Sequence, residues 1–401
     1  EGDVVIDARN KLVIPGLIQT HVHLCQTLFR GMADDLELLD WLNKRIWPLE
    51  SAHDEESLYY SALLGCGELL RGGTTAVIDM GTVNHTDSVF HAAAQSGIRY
   101  LGGKCMMDHG KGDKILEKTE ESLNESVRLL EKWDGFGAGR IRYAFCPRFV
   151  PSCSSALLKE VGILAEKYGT PVHTHASENQ AEIRLVESER GRRNIQYLED
   201  MGLCNRRLVL AHCIHVDDAE KQVLRANRVN VVHCPSSNLK LASGVAPIPE
   251  YLQREINVTL GADGPPCNNN LSMFTEMRLA ALIHKPYHGA MAMRAKEVFE
   301  MATINGAKAM GRQADIGSIE VGKKADLALV DINRWHNWPT SQSDVYAQLV
   351  YQLYAHDVSC TIVDGRICML EDRMLTLDQD EVFIHAEKAL QRIASKVGLK
   401  E

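Results

Sequence analysis

From about residue 15 the chain repeats one alternation. A short run of apolar and β-branched residues is followed by a longer stretch whose apolar residues recur every three or four positions. The short runs predict strands over residues 17–21, 75–80, 100–106, 141–148, 172–176, 208–213, 229–233 and 258–263. The longer stretches predict helices, among them 56–70, 116–133, 156–168, 194–201 and 219–225. Runs that are apolar on both faces and separated by helices belong to parallel sheets covered on both sides. Eight such units within roughly 300 residues predict an α/β fold, a closed (β/α)8 barrel. After about residue 312 the texture changes. Residues 317–331, then 358–363 followed by Asp364-Gly365, read as short strands and a hairpin, closed by a helix over 381–397. The expected division is a small β appendage from residues 1–12 and 313–375, a barrel over 13–312, and a C-terminal helix within 376–401.

The reactive residues fall where the strand runs end. In Val13-Ile-Pro-Gly-Leu-Ile-Gln-Thr-His-Val-His23 two histidines stand at i and i+2, on one face of an extended chain. Both imidazoles can therefore reach one metal ion. His175 and Glu178 follow the fifth strand, His212 the sixth and Asp263 the eighth. Three histidines and an aspartate would make a hydrolytic metal site with a position open for water. His173 faces the same side as His175, and we read it as packing.

Composition narrows the picture. Of 401 residues 45% are apolar and 24% charged, as in ordinary soluble globular proteins. A net charge of −9 without a basic stripe argues against nucleic acid as a partner. No apolar run approaches the roughly 18 residues of a membrane span, and the first residues carry no secretory pattern, so no membrane partner is expected. Eleven scattered cysteines, with no Cys-x-x-Cys, read as reduced thiols in a cytoplasmic protein. Their spacing also excludes zinc ribbons and the cysteine-ligated nucleobase deaminases. Any zinc must be held by histidine and carboxylate.

These residues, in this order, make the chain resemble the amidohydrolase superfamily, in its deaminase and chlorohydrolase branch, from about Val4 to Lys388. The resemblance implies one divalent metal, zinc before iron, on His21, His23, His175 and Asp263. It assigns Glu178 as proton shuttle, His212 as hydrogen-bond partner of the attacking water, and Asp263 as that water's base. The fourth strand, Arg142-Tyr-Ala-Phe-Cys-Pro-Arg148, has no lysine for the carbamylated bridge of binuclear relatives, so one metal is expected. Within the branch, Leu28-Phe-Arg-Gly-Met-Ala-Asp-Asp-Leu-Glu-Leu-Leu-Asp-Trp-Leu42 and Trp47-Pro-Leu-Glu50 resemble the deaminases of 5′-methylthioadenosine, S-adenosylhomocysteine and 5′-deoxyadenosine. There Trp41 and Glu50 match positions that touch a purine nucleoside, Glu50 accepting the ribose hydroxyls. Lys104 stands where that group has an arginine and Arg148 where it has a histidine, which favours a smaller 5′ group than adenosylhomocysteine. Gln26, Arg148 and Phe149 also resemble guanine deaminase, which makes a free purine the alternative substrate. A non-catalytic barrel scaffold is the remote alternative, and such proteins lose ligands that this chain keeps. The resemblance implies a homo-oligomer. Relatives carry further strands before the position of Glu1, so an incomplete β-sandwich with an exposed, association-prone edge is expected.

Overall fold

The computed structural model describes residues 5–112 and 114–398. Its strands are β1 (Lys11–Pro15), β2 (Leu17–Val22), β3 (Thr74–Met80), β4 (Arg99–Gly103), β5 (Cys105–Met106), β6 (Ile141–Tyr143), β7 (Cys146–Pro147), β8 (Val172–Ala176), β9 (Leu208–His212), β10 (Asn230–His233), β11 (Asn257–Leu260), β12 (Leu327–Asp331), β13 (Val358–Val363), β14 (Arg366–Leu370) and β15 (Arg373–Met374). Two parallel arcs, β2-β3-β4-β6 and β8-β9-β10-β11, make the barrel wall. Isolated parallel bridges close it, Phe145 to Val172 and Phe149 to His175 on one side and Val22 to Asp263 on the other. The expected eight-stranded barrel is therefore present.

Strand alternation sorts the wall into two cores. Ile18, Ile78, Leu101, Val209 and Val232 point inward, whereas Leu17, Val77, Tyr100, Leu210 and Val231 pack under the surrounding helices. The helix Glu55–Arg71 shows why sequence and fold agree locally. Asp54 caps it by accepting from the Ser57 backbone N–H, the Ser57 hydroxyl bonds back to the Asp54 N–H, and Gly72-Gly73 ends it. Between β1 and β2, a Cβ on Gly16 would lie 2.1 Å from Thr75 Oγ1, so only glycine lets the chain enter the barrel there.

The third and fourth staves differ from expectation, because each is interrupted. β4 stops at Gly103 and resumes as β5, with Lys104 turned aside so that its Nζ donates to Glu117 Oε1 at 2.6 Å. The run 141–148 breaks where it changes neighbours. Ala144 N donates to Gly102 O, on the β4 side, and Phe145 N to Pro171 O, on the β8 side.

β1, β12, β13, β14 and β15 form one antiparallel sheet in that order, with β1 and β15 outermost among the described residues. Among the described residues it forms a single layer. Its Val330, Val358 and Met369 join the apolar core that contains Leu69 and Leu70. The expected boundary at 12/13 falls inside β1, because pairing with β12 continues through Pro15 and Leu327. The C-terminal helix, Gln379–Val397, does not close this sheet. Its Ala386, Ala389 and Ile393 pack instead on Leu28, Phe29, Leu49 and Ala52 at the barrel. Residues 1–4 of the expected appendage and 399–401 of the C-terminal segment lie outside the described residues. The buried Arg99–Asp326 pair, at 2.7 and 2.8 Å, fastens the base of the barrel to the sheet.

A buried carboxyl inside the wall makes the fold pH-sensitive. Asp79 accepts from Leu24 N and from the Tyr100 hydroxyl, each at 2.8 Å, and burial lifts its pKa to about 7. An aspartate of the unfolded chain ionises near 3.8, so the folded form binds its proton more tightly. That contribution is complete below the unfolded value and is lost as pH rises through the folded one. The melting temperature of the wild-type protein should therefore fall between about pH 5 and 8, and less steeply in Asp79→Asn. Parallel melting curves across that range would exclude Asp79 as the cause.

Candidate active site

His21 lies on β2 and His23 just after it, His175 on β8, His212 at the end of β9, and Asp263 in the turn beyond β11. All five are buried or nearly so, and their rings and carboxylate meet at one point above the barrel core. Backbone partners settle the proton on each ring. His23 Nδ1 faces Met80 O at 3.0 Å and His175 Nδ1 faces Arg148 O at 2.7 Å. Carbonyls only accept, so both rings carry their proton on Nδ1 and present a bare Nε2 lone pair. For His21 the chain is longer. His173 Nδ1 donates to Val209 O at 3.1 Å, which leaves His173 Nε2 to accept from His21 Nδ1 at 2.8 Å. His21 Nε2 is then also a bare lone pair, buried and without a hydrogen-bond partner.

Three lone pairs and a carboxylate thus converge with no proton among them. His23 Nε2 is 3.2 Å from His175 Nε2, and Asp263 Oδ1 is 3.1 Å from His21 Nε2 and 3.5 Å from His23 Nε2. Ligands on a tetrahedron with bonds of about 2.0–2.1 Å stand roughly 3.3 Å apart. The donor set fits a divalent cation. Burial depresses the pKa of His21, His23 (to about 3) and His175, so all three are neutral and ready to bind it. His173, read from sequence as packing, is a positioning residue for His21. The signal that could have found it was its shared face with His175.

The remaining groups border this point. His212 Nδ1 donates to Asn238 Oδ1 at 2.9 Å, and its Nε2 faces Glu178 Oε2 at 3.4 Å and Asp263 Oδ2 at 3.8 Å. Its Nε2 also comes close enough to His21 and Asp263 to share a cation with them. Ser237 Oγ donates to Asp263 Oδ2 at 2.7 Å. Burial lifts the Glu178 pKa to about 7, against the pull of His212. Burial would also raise Asp263, but its neighbours His21, His212 and His23 hold it well below the usual carboxylate range, His212 being the one of the three whose own pKa is raised so that it keeps a charge. Glu182 accepts from Glu178 N at 2.8 Å and so holds the turn that presents Glu178. Ser237, Asn238 and Glu182 were not singled out from sequence, because nothing in their spacing marks them.

Backbone strain concentrates at these strand ends. Ser177, His212, Cys213 and Asp263 have φ of 54°, 73°, 46° and 66°, a region that side chains other than glycine avoid. Each strained turn is pinned. Tyr251 Oη donates to Cys213 O at 2.6 Å, His215 N to Ser177 O at 3.0 Å, and Asp263 N to His21 O at 3.0 Å.

A narrow cavity opens on the site, with free space of ≈ 30 Å³, enough for little more than water. Gln26, Trp41, Arg148 and Phe149 line it as expected, and Leu38, Leu42 and Leu241 complete an apolar wall. Trp41 Nε1 and Gln26 Oε1 are buried without partners, a free donor and a free acceptor. Two expected substrate contacts are not on the wall. Lys104 is buried away from the cavity against Glu117 and Cys105 O, since the break after β4 turns it aside. Glu50 stands behind Gln26 and Arg148. Arg148 grips it at 2.6 and 3.1 Å, and Gln26 Nε2 donates to it at 2.8 Å. Burial would raise the Glu50 carboxyl, but Arg148 outweighs burial and keeps it ionised.

A parallel barrel with imidazoles and a carboxylate converging at its carboxyl end defines the class of barrel hydrolases that use a bound metal. The chain belongs to the amidohydrolase family, whose profile matches residues 12–368. It is 40% identical over 398 residues to the 5′-deoxyadenosine deaminase of Methanosarcina acetivorans, covering 99% of this chain and 90% of that one. It is 38% identical over 392 residues to the 5-methylthioadenosine/S-adenosylhomocysteine deaminase of Caldanaerobacter subterraneus subsp. tengcongensis, covering 98% and 89%. Among solved structures it resembles an adenosine deaminase from Xanthomonas campestris with bound zinc, at TM-score 0.90 and 32% identity over 96% of this chain and 87% of that one.

Metal content tests the ligand set directly. Purified wild-type protein should retain about one divalent ion per chain, and His175→Ala should lose it on dialysis. His173→Ala should weaken retention by about 10–100-fold, the usual effect of removing a ligand's supporting hydrogen bond. Full occupancy in dialysed His175→Ala would remove that residue from the set.

Proposed function

We propose that the protein hydrolytically deaminates an adenine nucleoside, 5′-deoxyadenosine, 5′-methylthioadenosine or a near relative, to the inosine analogue and ammonia. The observation that carries this reading is Glu178, a buried carboxyl lifted to about 7 on the wall of a cavity that the bare imidazoles of His23 and His175 also line, with His21 just beneath them. The names of the relatives agree with it.

We assign one zinc ion to His21, His23, His175 and Asp263, in keeping with three nitrogens and one oxygen and with the zinc of the Xanthomonas structure. When bound, such an ion brings the pKa of a coordinated water near neutrality. Asp263, ionised by its imidazole neighbours, takes the proton of the attacking water, and His212, oriented by Asn238, holds that water by a hydrogen bond. Glu178 in its protonated form gives its proton to the ring nitrogen beside the attacked carbon. It takes up the remaining proton of the added hydroxyl and passes it to the departing amine, and the proton held by Asp263 then restores Glu178. The apolar wall of Leu38, Trp41 and Leu42 shields the purine, and Trp41 Nε1 offers it a donor. A nucleoside needs more room than the cavity has, so residues 38–42 move outward when it enters. Eleven unpaired cysteines support a reducing, cytoplasmic setting, and exposed Phe383 and Ile384 support self-association.

A second reading is guanine deamination. It is favoured by the Glu50–Arg148–Gln26 cluster, which occupies the carboxylate that a ribose would otherwise use. Ultraviolet-monitored turnover of 5′-deoxyadenosine and guanine, run in parallel, separates the two. We expect the nucleoside to turn over, and Glu178→Gln to lower kcat by about 10²-fold or more. kcat/KM should fall as pH rises through about 7, where Glu178 loses its proton, and Glu178→Gln should lack that step. Turnover of guanine alone would overturn the nucleoside reading.

A further inference from the structure

We propose that the base of the barrel, at the end opposite His21 and Asp263, binds a small anion carrying several phosphate groups, such as an inorganic polyphosphate or the phosphate chain of a nucleotide. Parallel strands gather their amino ends at this face. Arg99 opens β4, Arg142 lies on β6, Arg206 and Arg207 precede β9, and Arg228 precedes β10. Together with residues 308–313 these ends line an open cavity of ≈ 690 Å³, within the range of small-ligand sites.

Among the described residues seven arginines and one lysine line it, and no carboxylate does. Four of the cations are neutralised from outside the wall: Arg99 by Asp326, Arg142 by Asp134, Arg207 by Glu166 and Arg312 by Asp315. The other four have no acidic partner among the described residues. Arg140 donates to the carbonyls of Ala94 and Ile98, Lys308 to Asn305 Oδ1, and Arg206 and Arg228 make no side-chain hydrogen bond or ion pair. Arg207 Nε is buried without a partner. About four uncompensated charges therefore line one open cavity, Arg206, Arg228 and Lys308 exposed and Arg140 half-buried, in a chain whose overall charge is −9. Burial lowers the pKa of Arg140, and the nearby Arg99 and Arg366 add to that, as expected where like charges crowd. A polyvalent anion relieves the repulsion, and guanidinium forks match phosphate oxygens two at a time. The acidic remainder of the surface confines the anion to this cavity instead of letting it coat the protein.

Calorimetric titration of the full chain with tripolyphosphate and with ATP at low ionic strength tests this. We expect one site per chain, weakened roughly tenfold or more in Arg206→Glu/Arg228→Glu, and weakened by added KCl. Equal binding of the two ligands would mean that the phosphate chain alone is held. Tighter ATP would mean that the cavity also takes the nucleoside, and both results support the site. The single variants Arg206→Gln and Arg228→Gln decide the matter if the double variant does not melt cooperatively. Absence of heat with both ligands, affinity unchanged in the variants, or tighter multi-site binding of a short RNA would each overturn the proposal.

Discussion

The arrangement on which everything else depends is the burial of three imidazole lone pairs beside one carboxylate. Taken out of water without a proton or cation between them, these groups repel one another. The rest of the site holds them there. Met80 O and Arg148 O orient His23 and His175, and His173 orients His21, each by a hydrogen bond from the far ring nitrogen. Barrel closure does the rest, since the bridge between Val22 and Asp263 brings the last strand's aspartate beside the first strand's histidines. The strained turns at Ser177, His212 and Asp263 persist because this closure over-determines them.

Within that shell two carboxyls are driven in opposite directions. Asp263 is flanked by imidazoles and stays ionised, whereas burial outweighs the pull of His212 at Glu178, which keeps its proton to about pH 7. Such a division supplies a base and an acid from two chemically similar side chains. A third carboxyl, Glu50, is ionised for a different reason, because Arg148 and Gln26 enclose it. Arg148 and Gln26 line the cavity, with Glu50 behind them. The same chain shows the reverse balance at the other end of the barrel, where guanidiniums line a cavity and the carboxylates that reach four of them stand outside its wall. A parallel barrel makes this polarity available, because it sends all strand starts to one face and all strand ends to the other.

Much of this was legible in the chain. Period-two and period-three-to-four patterning located the eight wall strands and the helices between them. His21 and His23 declared a shared face by their spacing, and His175, His212, Glu178 and Asp263 declared themselves by following strand runs. What failed had one cause, the partner being far away in sequence. Lys104 looked like a strand-end cation until Glu117 claimed it, and Glu50 looked like a substrate contact until Arg148 did. His173 looked like packing because its bond to His21 spans 152 positions. The single run over 141–148 concealed a change of neighbours that only the closed wall requires.

The sequence by itself therefore determined the barrel, the order of its strands, and the set of histidines and carboxylates at their ends. These follow from local periodicity, which each segment carries within a dozen residues. Only the tertiary structure decided which nitrogen of each ring is bare, which carboxyl keeps its proton, and which charges face a cavity rather than each other. Those outcomes depend on burial and on distances of a few ångströms between residues far apart in the chain, and no local pattern records them.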